Sequence, residues 1–286
     1  MTGVSTRGEV AARKRLGSLT WLEVEVPGWP GAAPGQFAML RSVSSGCFLG
    51  RPLSVSDQEG ERVFFLIAPV GQGTRELCRL GVGDQVEVVG PLGKGFDLVA
   101  MGWPAGATGR LLLVGGGVGV APFPLLLRSA AVLAGVAHGW SGEVLVLVGF
   151  RDQEQAEGAR PVEEAVRALR NAGIGTRLEV ATEDGSRGRR GTVVDLLAEE
   201  IAPQDLLAVC GPPAMSEAVA RLASSVAGSR AWFSLETFMA CGVGACHGCV
   251  VVQRDGSMVR VCREGPVFPW EALYGDAGAK GGGPGC

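Results

Sequence analysis

The first hundred residues alternate apolar and polar positions over short runs and carry no long helical period. Four segments read as strands, Leu19–Val26, Gln36–Arg41, Arg62–Ala68 and Gln85–Val89. Pro27-Gly28, Pro34-Gly35, Gly81-Val-Gly83-Asp84 and Gly90-Pro91 punctuate them, which predicts a small antiparallel barrel. From about residue 108 the pattern changes. Apolar strands at Leu111–Val114, Val144–Gly149, Arg177–Ala181 and Leu206–Cys210 alternate with helical segments: an apolar one reaching Leu133, then Pro161–Leu169, Thr192–Glu200 and Pro213–Val226. Buried strands that alternate with helices predict a doubly wound parallel sheet. Such sheets bind ligands beyond the carboxyl ends of their strands, which singles out the loops Gly115–Pro122 and Cys210–Met215. The first loop is not a G-x-G-x-x-G fingerprint, and a glycine turn also serves packing alone.

The C-terminal part follows neither pattern. Cys241, Cys246, Cys249 and Cys262 stand at C-x4-C-x2-C-x12-C, with Gly242, Gly244 and Gly248 between the first three. This is the spacing of a plant-type [2Fe–2S] site. Four thiolates bring a large negative charge, which the irons and inward-pointing backbone N–H groups offset. Glycine lets the chain wrap that closely. Structural zinc is the alternative, although its usual signature is two paired knuckles and only Cys246/Cys249 forms one. Disulfides would suit a secreted chain. The expected organisation is a barrel over 1–104, a nucleotide domain over 105–230, a cluster module over 231–274 and a disordered glycine-rich tail over 275–286.

Composition narrows the function. With 26 basic and 29 acidic residues, a net charge of −3 gives no reason to propose nucleic acid or an acidic membrane as partner. Met1–Lys14 has no apolar signal-peptide core, so a cytoplasmic protein with reduced, metal-competent thiols is expected. The uncharged run Leu111–Leu127 approaches membrane-span length, but its glycines and prolines read as strand, tight turn and helix. No acid–base pair or nucleophile stands out for substrate chemistry. His138 reads as a loop residue and His247 as a spacer between cysteines, while Cys47 and Cys78 read as small, partly buried side chains.

A redox cluster needs an electron source, and the barrel offers two motifs that suit a flavin. In Arg51-Pro52-Leu53-Ser54 the arginine can fork onto a phosphate and the serine hydroxyl can bond a ring nitrogen. In Gly71-Gln-Gly73-Thr74 the backbone N–H groups, at the start of an expected helix Arg75–Leu80, can face a pyrophosphate. Each motif alone is more often a structural strand start or turn; their joint occurrence in a barrel upstream of a nucleotide domain favours the flavin.

Taken together, these features resemble the ferredoxin-reductase family, and more narrowly the electron-transfer subunits of two-subunit, NAD-linked dihydroorotate dehydrogenases. The likeness runs from about residue 8 to 273 and is most specific in Ser234-Leu-Glu236 through Cys246 and in Arg260-Val-Cys262-Arg-Glu264-Gly-Pro-Val-Phe268. It implies a ferredoxin-reductase-like architecture: an FAD-binding antiparallel β-barrel, a doubly wound NAD domain and a small [2Fe–2S] module. Arg51, Pro52, Leu53 and Ser54 would hold FAD, Gly73 and Thr74 its pyrophosphate, and Leu66, Ile67 and Ala68 would line the same site. The family tends to carry an aromatic and a basic residue at Ile67 and Ala68. Gly115, Gly116, Gly117, Gly119, Cys210, Gly211 and Pro212 would receive the dinucleotide, and Cys241, Cys246, Cys249 and Cys262 would ligate the cluster. The implied partner is an FMN-containing dihydroorotate dehydrogenase catalytic subunit in a heterotetramer. A reductase subunit of another complex, of the sulfide dehydrogenase or ferredoxin–nicotinamide transhydrogenase type, stays open. So does NADP against NAD, since Arg151 and Asp152 point in opposite directions.

Overall fold

The computed structural model describes residues 3–103, 109–136 and 141–274; the tail expected at 275–286, with Cys286, and His138 lie outside them. The first strand, β1 (Val4–Leu16), is followed by β2 (Leu19–Glu25), β3 (Phe37–Ser42), β4 (Arg51–Ser54), β5 (Asp57–Glu59) and β6 (Arg62–Ile67). After helix α1 (Gln72–Leu77), strand β7 (Gln85–Leu92) completes a seven-stranded antiparallel sheet in the order β4-β3-β7-β1-β2-β6-β5. The sheet curls so that β4 meets β6, a barrel left open at its edges. Alternate residues fill its interior, among them Val10, Leu22, Phe65, Ile67 and Val88 at 0% exposure. Strand β1 was not expected. Its Arg, Lys and Glu side chains point outward, and Gly8 sits where a Cβ would press on Val24.

Helix α1 also starts earlier than the expected Arg75, so Gly73 and Thr74 lie within its first turn. Thr74 Oγ1 accepts from the Gly71 N–H at 3.0 Å and donates to the Gly71 carbonyl at 3.1 Å. That hydroxyl serves the helix start.

The second half follows the predicted alternation: β8 (Leu111–Gly116), α2 (Phe123–Val136), β9 (Val144–Phe150), α3 (Gln153–Ala156), α4 (Arg160–Asn171), β10 (Thr176–Thr182), β11 (Arg189–Arg190), α5 (Val193–Glu200), β12 (Leu206–Cys210), α6 (Pro213–Ser224) and β13 (Arg230–Ser234). The sheet order is β11-β10-β9-β8-β12-β13, parallel throughout, so the chain reverses direction across the sheet between β8 and β12. Leu111 to Val114 are all 0% exposed, buried on both sides as their unbroken apolar run requires. A span from Gly117 to Gly135 is apolar and long enough to cross a membrane by composition, yet 61% of its window is buried inside the protein.

The C-terminal module comprises β14 (Val250–Val252), β15 (Met258–Arg260), α7 (Val261–Glu264), β16 (Val267–Pro269) and α8 (Trp270–Leu273). Strand β16 pairs antiparallel with β13 and ties the module to the large sheet. Its Cys249, Val261, Cys262 and Phe268 share one core with Phe37, Met39 and Leu92 of the barrel and with the α5/α6 face of the sheet. Barrel, sheet and module thus pack on one another.

One ion pair fastens the switch point from below. Arg110 donates through Nε and Nη2 to the two carboxylate oxygens of Asp205 at 2.9 and 2.6 Å, and the Ala202 N–H adds a third bond at 2.7 Å. Asp205 is 3% exposed. Asp205→Ala leaves a half-buried guanidinium without its fork and should destabilise the protein by about 2–3 kcal/mol. Calorimetry or thermal melting should place the midpoint roughly 3–5 °C lower; an unchanged midpoint would mean the pair contributes nothing.

Candidate functional site

The carboxyl ends of β8 and β12, the β4 edge of the barrel and the segment leading into the cysteine loop meet around one cleft of about 310 Å³. From the barrel it is lined by Pro52, Leu53, Ser54, Leu66, Ala68 and Thr74. Across from them stand Gly119, Cys210, Ser234, Glu236 and Met239. Strand pleating decides which of the expected residues take part. Leu66 and Ala68 face the cleft, while Ile67 between them is fully buried in the barrel core. Ile67 therefore does not line the site with its side chain, as had been expected.

Arg51 lies beside the cleft, its Nη1 donating to the carbonyls of Leu49 and Gly50 at 3.0 and 3.2 Å. Its guanidinium spans Gly73, where a Cβ would stand 2.5 Å from Nε and 2.9 Å from Cζ. A larger residue at 73 would displace the guanidinium from this position. A cation stacked on the first turn of α1 fits the phosphates of a dinucleotide cofactor. Together with apolar walls and the Ser54 hydroxyl, the cleft suits a flavin.

The glycines of the β8 loop divide by role. A Cβ at Gly115 would collide with Phe123, at Gly116 and Gly211 with Met215, and at Gly119 with the Cys210 backbone. Gly115 and Gly116 are thus packed by the protein's own side chains, and Pro212 also lies against Gly116. Gly117 takes a left-handed φ of 56° beside Gln155. Gly119 brings the β8 loop against β12 and into the cleft.

Around Cys210 the structure gathers polar groups that had no role in the sequence reading. Burial pushes the Cys210 thiol up to about 12, the Glu236 charge adds to this, and the Ser234 side chain works against it. Residue Glu236 is exposed overall, yet its carboxyl faces the cleft and desolvation holds it above the usual carboxylate range. Ser234 ends β13 and Glu236 follows two residues later on the same side. Finding them required β13, which carries only five residues and no strong apolar period.

The four module cysteines are close in pairs. The Cys246 N–H donates to Cys241 Sγ at 3.4 Å, and the Cys262 N–H donates to Cys249 Sγ at 3.4 Å. Among the described residues no three metal-ligating side chains converge as a single-ion site would need. The two pairs are those that a two-iron cluster would use, two cysteines to each iron. Burial raises the Cys241 thiol, but N–H groups of Cys246, Val243 and Ala245 outweigh it and hold the thiol below its ordinary range. Inward N–H groups are what a thiolate-ligated cluster requires. Cys246 is exposed, whereas Cys249 and Cys262 are buried. His247, with φ of 59°, turns the chain between them. All seven described cysteines are free thiols.

Residues 236–274 match the iron-sulfur cluster binding domain of dihydroorotate dehydrogenase B, and residues 113–221 match the oxidoreductase NAD-binding domain. The electron transfer subunit of dihydroorotate dehydrogenase B (NAD(+)) from Listeria monocytogenes serovar 1/2a is 36% identical over 242 residues, 83% of this chain and 86% of that one. The chain belongs to this family of electron transfer subunits. The Caldanaerobacter subterraneus subunit is likewise 36% identical over 246 residues, 84% of this chain and 87% of its own. Among solved structures, the NADH-dependent reduced ferredoxin–NADP oxidoreductase superposes with a TM-score of 0.74 at 25% identity, covering 95% of this chain and 91% of that one. A ferredoxin–NADP reductase from Neisseria gonorrhoeae, solved with FAD and NADP, shares the fold at a TM-score of 0.59 and 17% identity, covering 76% and 89%. The chain has a ferredoxin-reductase-like architecture, an antiparallel barrel followed by a parallel sheet and a C-terminal module.

Proposed function

We propose that this chain is the electron-transfer subunit of an NAD-linked dihydroorotate dehydrogenase and carries electrons between NAD and a partner catalytic subunit. One observation carries the reading: Ser54 of the barrel, Cys210 of the nucleotide sheet and Met239 of the cysteine-loop segment line a single cleft. A nicotinamide exchanges two electrons as hydride, an iron–sulfur cluster exchanges one at a time, and a flavin bound between them interconverts the two. The protein supplies the placement. Arg51, Gly73 and Thr74 would hold the phosphates of FAD; Pro52, Leu53, Ser54, Leu66 and Ala68 would hold its ring system. Gly117 and Gly119, with Cys210, Gly211 and Pro212, would receive the dinucleotide. The neutral Cys210 thiol gives the ring room without a charge, and the Glu236 carboxyl can hold a proton at the cleft mouth. Cys241 and Cys246 would hold one iron, and Cys249 and Cys262 the other.

The partner in this reading carries FMN, oxidises dihydroorotate to orotate, and assembles with this chain as a cytoplasmic heterotetramer. NAD is favoured over NADP because the relatives bear NAD(+) in their names. Asp152, once weighed as a ribose contact, is engaged as the cap of α3, accepting from the Gln155 N–H at 2.8 Å. A second reading, a reductase subunit working with ferredoxin, is favoured by the TM-score of 0.74 to the ferredoxin–NADP oxidoreductase chain.

The test is an anaerobic NADH titration of purified protein followed in the visible range, alone and after co-expression with a dihydroorotate dehydrogenase catalytic subunit. Flavin bands over a broad iron–sulfur absorption should bleach together, and the complex should reduce NAD with dihydroorotate. Bleaching without dihydroorotate-dependent turnover, but with ferredoxin-dependent turnover, would replace the first reading by the second.

A further inference from the structure

Arg260 ends β15, two residues before the last cluster cysteine, and its side chain is pinned on three sides. Its Nε and Nη2 donate to Glu264 Oε2 and Oε1 at 3.2 and 2.6 Å, and its own backbone N–H donates to Oε2 at 2.7 Å. The remaining arm, Nη1, crosses to the cysteine loop and donates to the Gly244 carbonyl at 3.1 Å. A planar trans peptide points its C=O and its N–H in opposite directions. Holding the Gly244 oxygen outward therefore turns the N–H of Ala245, the other end of the same peptide unit, inward. One residue further on, the Cys246 N–H donates to Cys241 Sγ at 3.4 Å, so the turn that Arg260 grips is the one whose backbone meets that sulfur. Gly244 has φ of 81°, a conformation that leaves a glycine peptide easy to turn unless something holds it.

We propose that Arg260 is a positioning residue for the cluster: by gripping the Gly244 carbonyl it fixes the turn whose backbone N–H groups, that of Cys246 among them, face the Cys241 sulfur. The proposal rests on the iron–sulfur reading of the four cysteines. Hydrogen bonds to ligand sulfurs favour the more negative, reduced state and so raise the reduction potential. Because Glu264 neutralises Arg260 at close range, the arginine acts here more through geometry than through its net charge.

The test is the midpoint potential of the cluster in the complete flavin- and iron-loaded protein, titrated by electron paramagnetic resonance, with the coupling of exchangeable protons read in the same samples. Arg260→Met should lower the potential and lose one exchangeable N–H coupling at unchanged iron content. Arg260→Lys, which keeps a charge but not the fork, should recover neither fully. An unaltered potential in Arg260→Met, or full recovery of the potential in Arg260→Lys with the coupling still absent, would overturn the proposal in favour of no role or of charge alone. If Arg260→Met does not retain iron, Glu264→Gln separates the two causes by sign. Loss of a negative charge alone raises the potential, whereas a loosened grip lowers it, and a rise overturns the proposal. Wild-type protein lacking iron would sink the cluster reading itself, a result distinct from all of these.

Discussion

Cys246→Ser should abolish dihydroorotate-linked electron transfer while leaving flavin content and the oxidation of NADH by an artificial acceptor intact. Loss of groups that merely support a metal ligand reduces function by roughly 10–100-fold, so removal of the ligand itself should exceed about 100-fold. The structure explains why the damage stays local. Cys246 is the exposed member of the set, on a loop, whereas Cys249 and Cys262 are part of the core shared with Phe37 and Met39. The cleft that suits the flavin is walled by strands whose packing does not involve the Cys246 side chain. Iron analysis, flavin fluorescence and a ferricyanide assay decide the matter. Loss of ferricyanide activity in a folded, flavin-replete variant would mean that the order of carriers proposed above is wrong.

The second large effect is expected at Gly119. An added methyl would stand 2.7 Å from both the Cys210 carbonyl carbon and the Gly211 Cα, main chain that cannot swing aside. Gly119→Ala must push the β8 loop away from β12 at the switch point. Such overpacking should reduce stability by about 3 kcal/mol and raise the KM for NADH severalfold. Gly116→Ala is the control. Its methyl would meet chiefly the thioether of Met215, a flexible side chain that can move, and touch the Pro212 Cδ at 3.1 Å, so a smaller effect than at Gly119 is expected. Thermal melting and NADH kinetics on the pair check this; equal behaviour of the two variants would refute the assignment of Gly119 as the tight contact.

The parallel sheet was the most legible part of the chain because its strands are buried on both faces and appear as unbroken apolar runs. Leu206–Cys210 was expected and is found at those bounds. The barrel was legible in kind but not in full. Strand β1 lies on the surface over much of its length, so Arg13, Lys14 and Arg15 conceal its pairing with β2. At α1 the reading placed the helix start three residues late, since Gly71-Gln-Gly73 looks like a turn and the Thr74 cap is an internal hydroxyl rather than a preceding one. The cysteine spacing alone pointed to the cluster module, because metal ligation leaves a pattern that propensity does not. Ser234 and Glu236 stood in the stretch that carries the family resemblance, but nothing local gave them a role. Their placement depends on a strand pairing with β12 and on a cleft built from three separate stretches of chain, neither of which is local.

The membrane-like span around α2 has a consequence for the order in which the chain is made. Strand β8 finds β12 only after some 95 further residues have been synthesised, since Leu111 pairs with Leu206. At about 5–20 residues per second the apolar strand and helix wait about 5–20 s for that flank. The one charged residue in α2, Arg128, reaches Asp57 of β5 at 2.6 Å. Asp57 belongs to the barrel, which has left the ribosome by then, so a docking place for this greasy helix is already on hand during the interval.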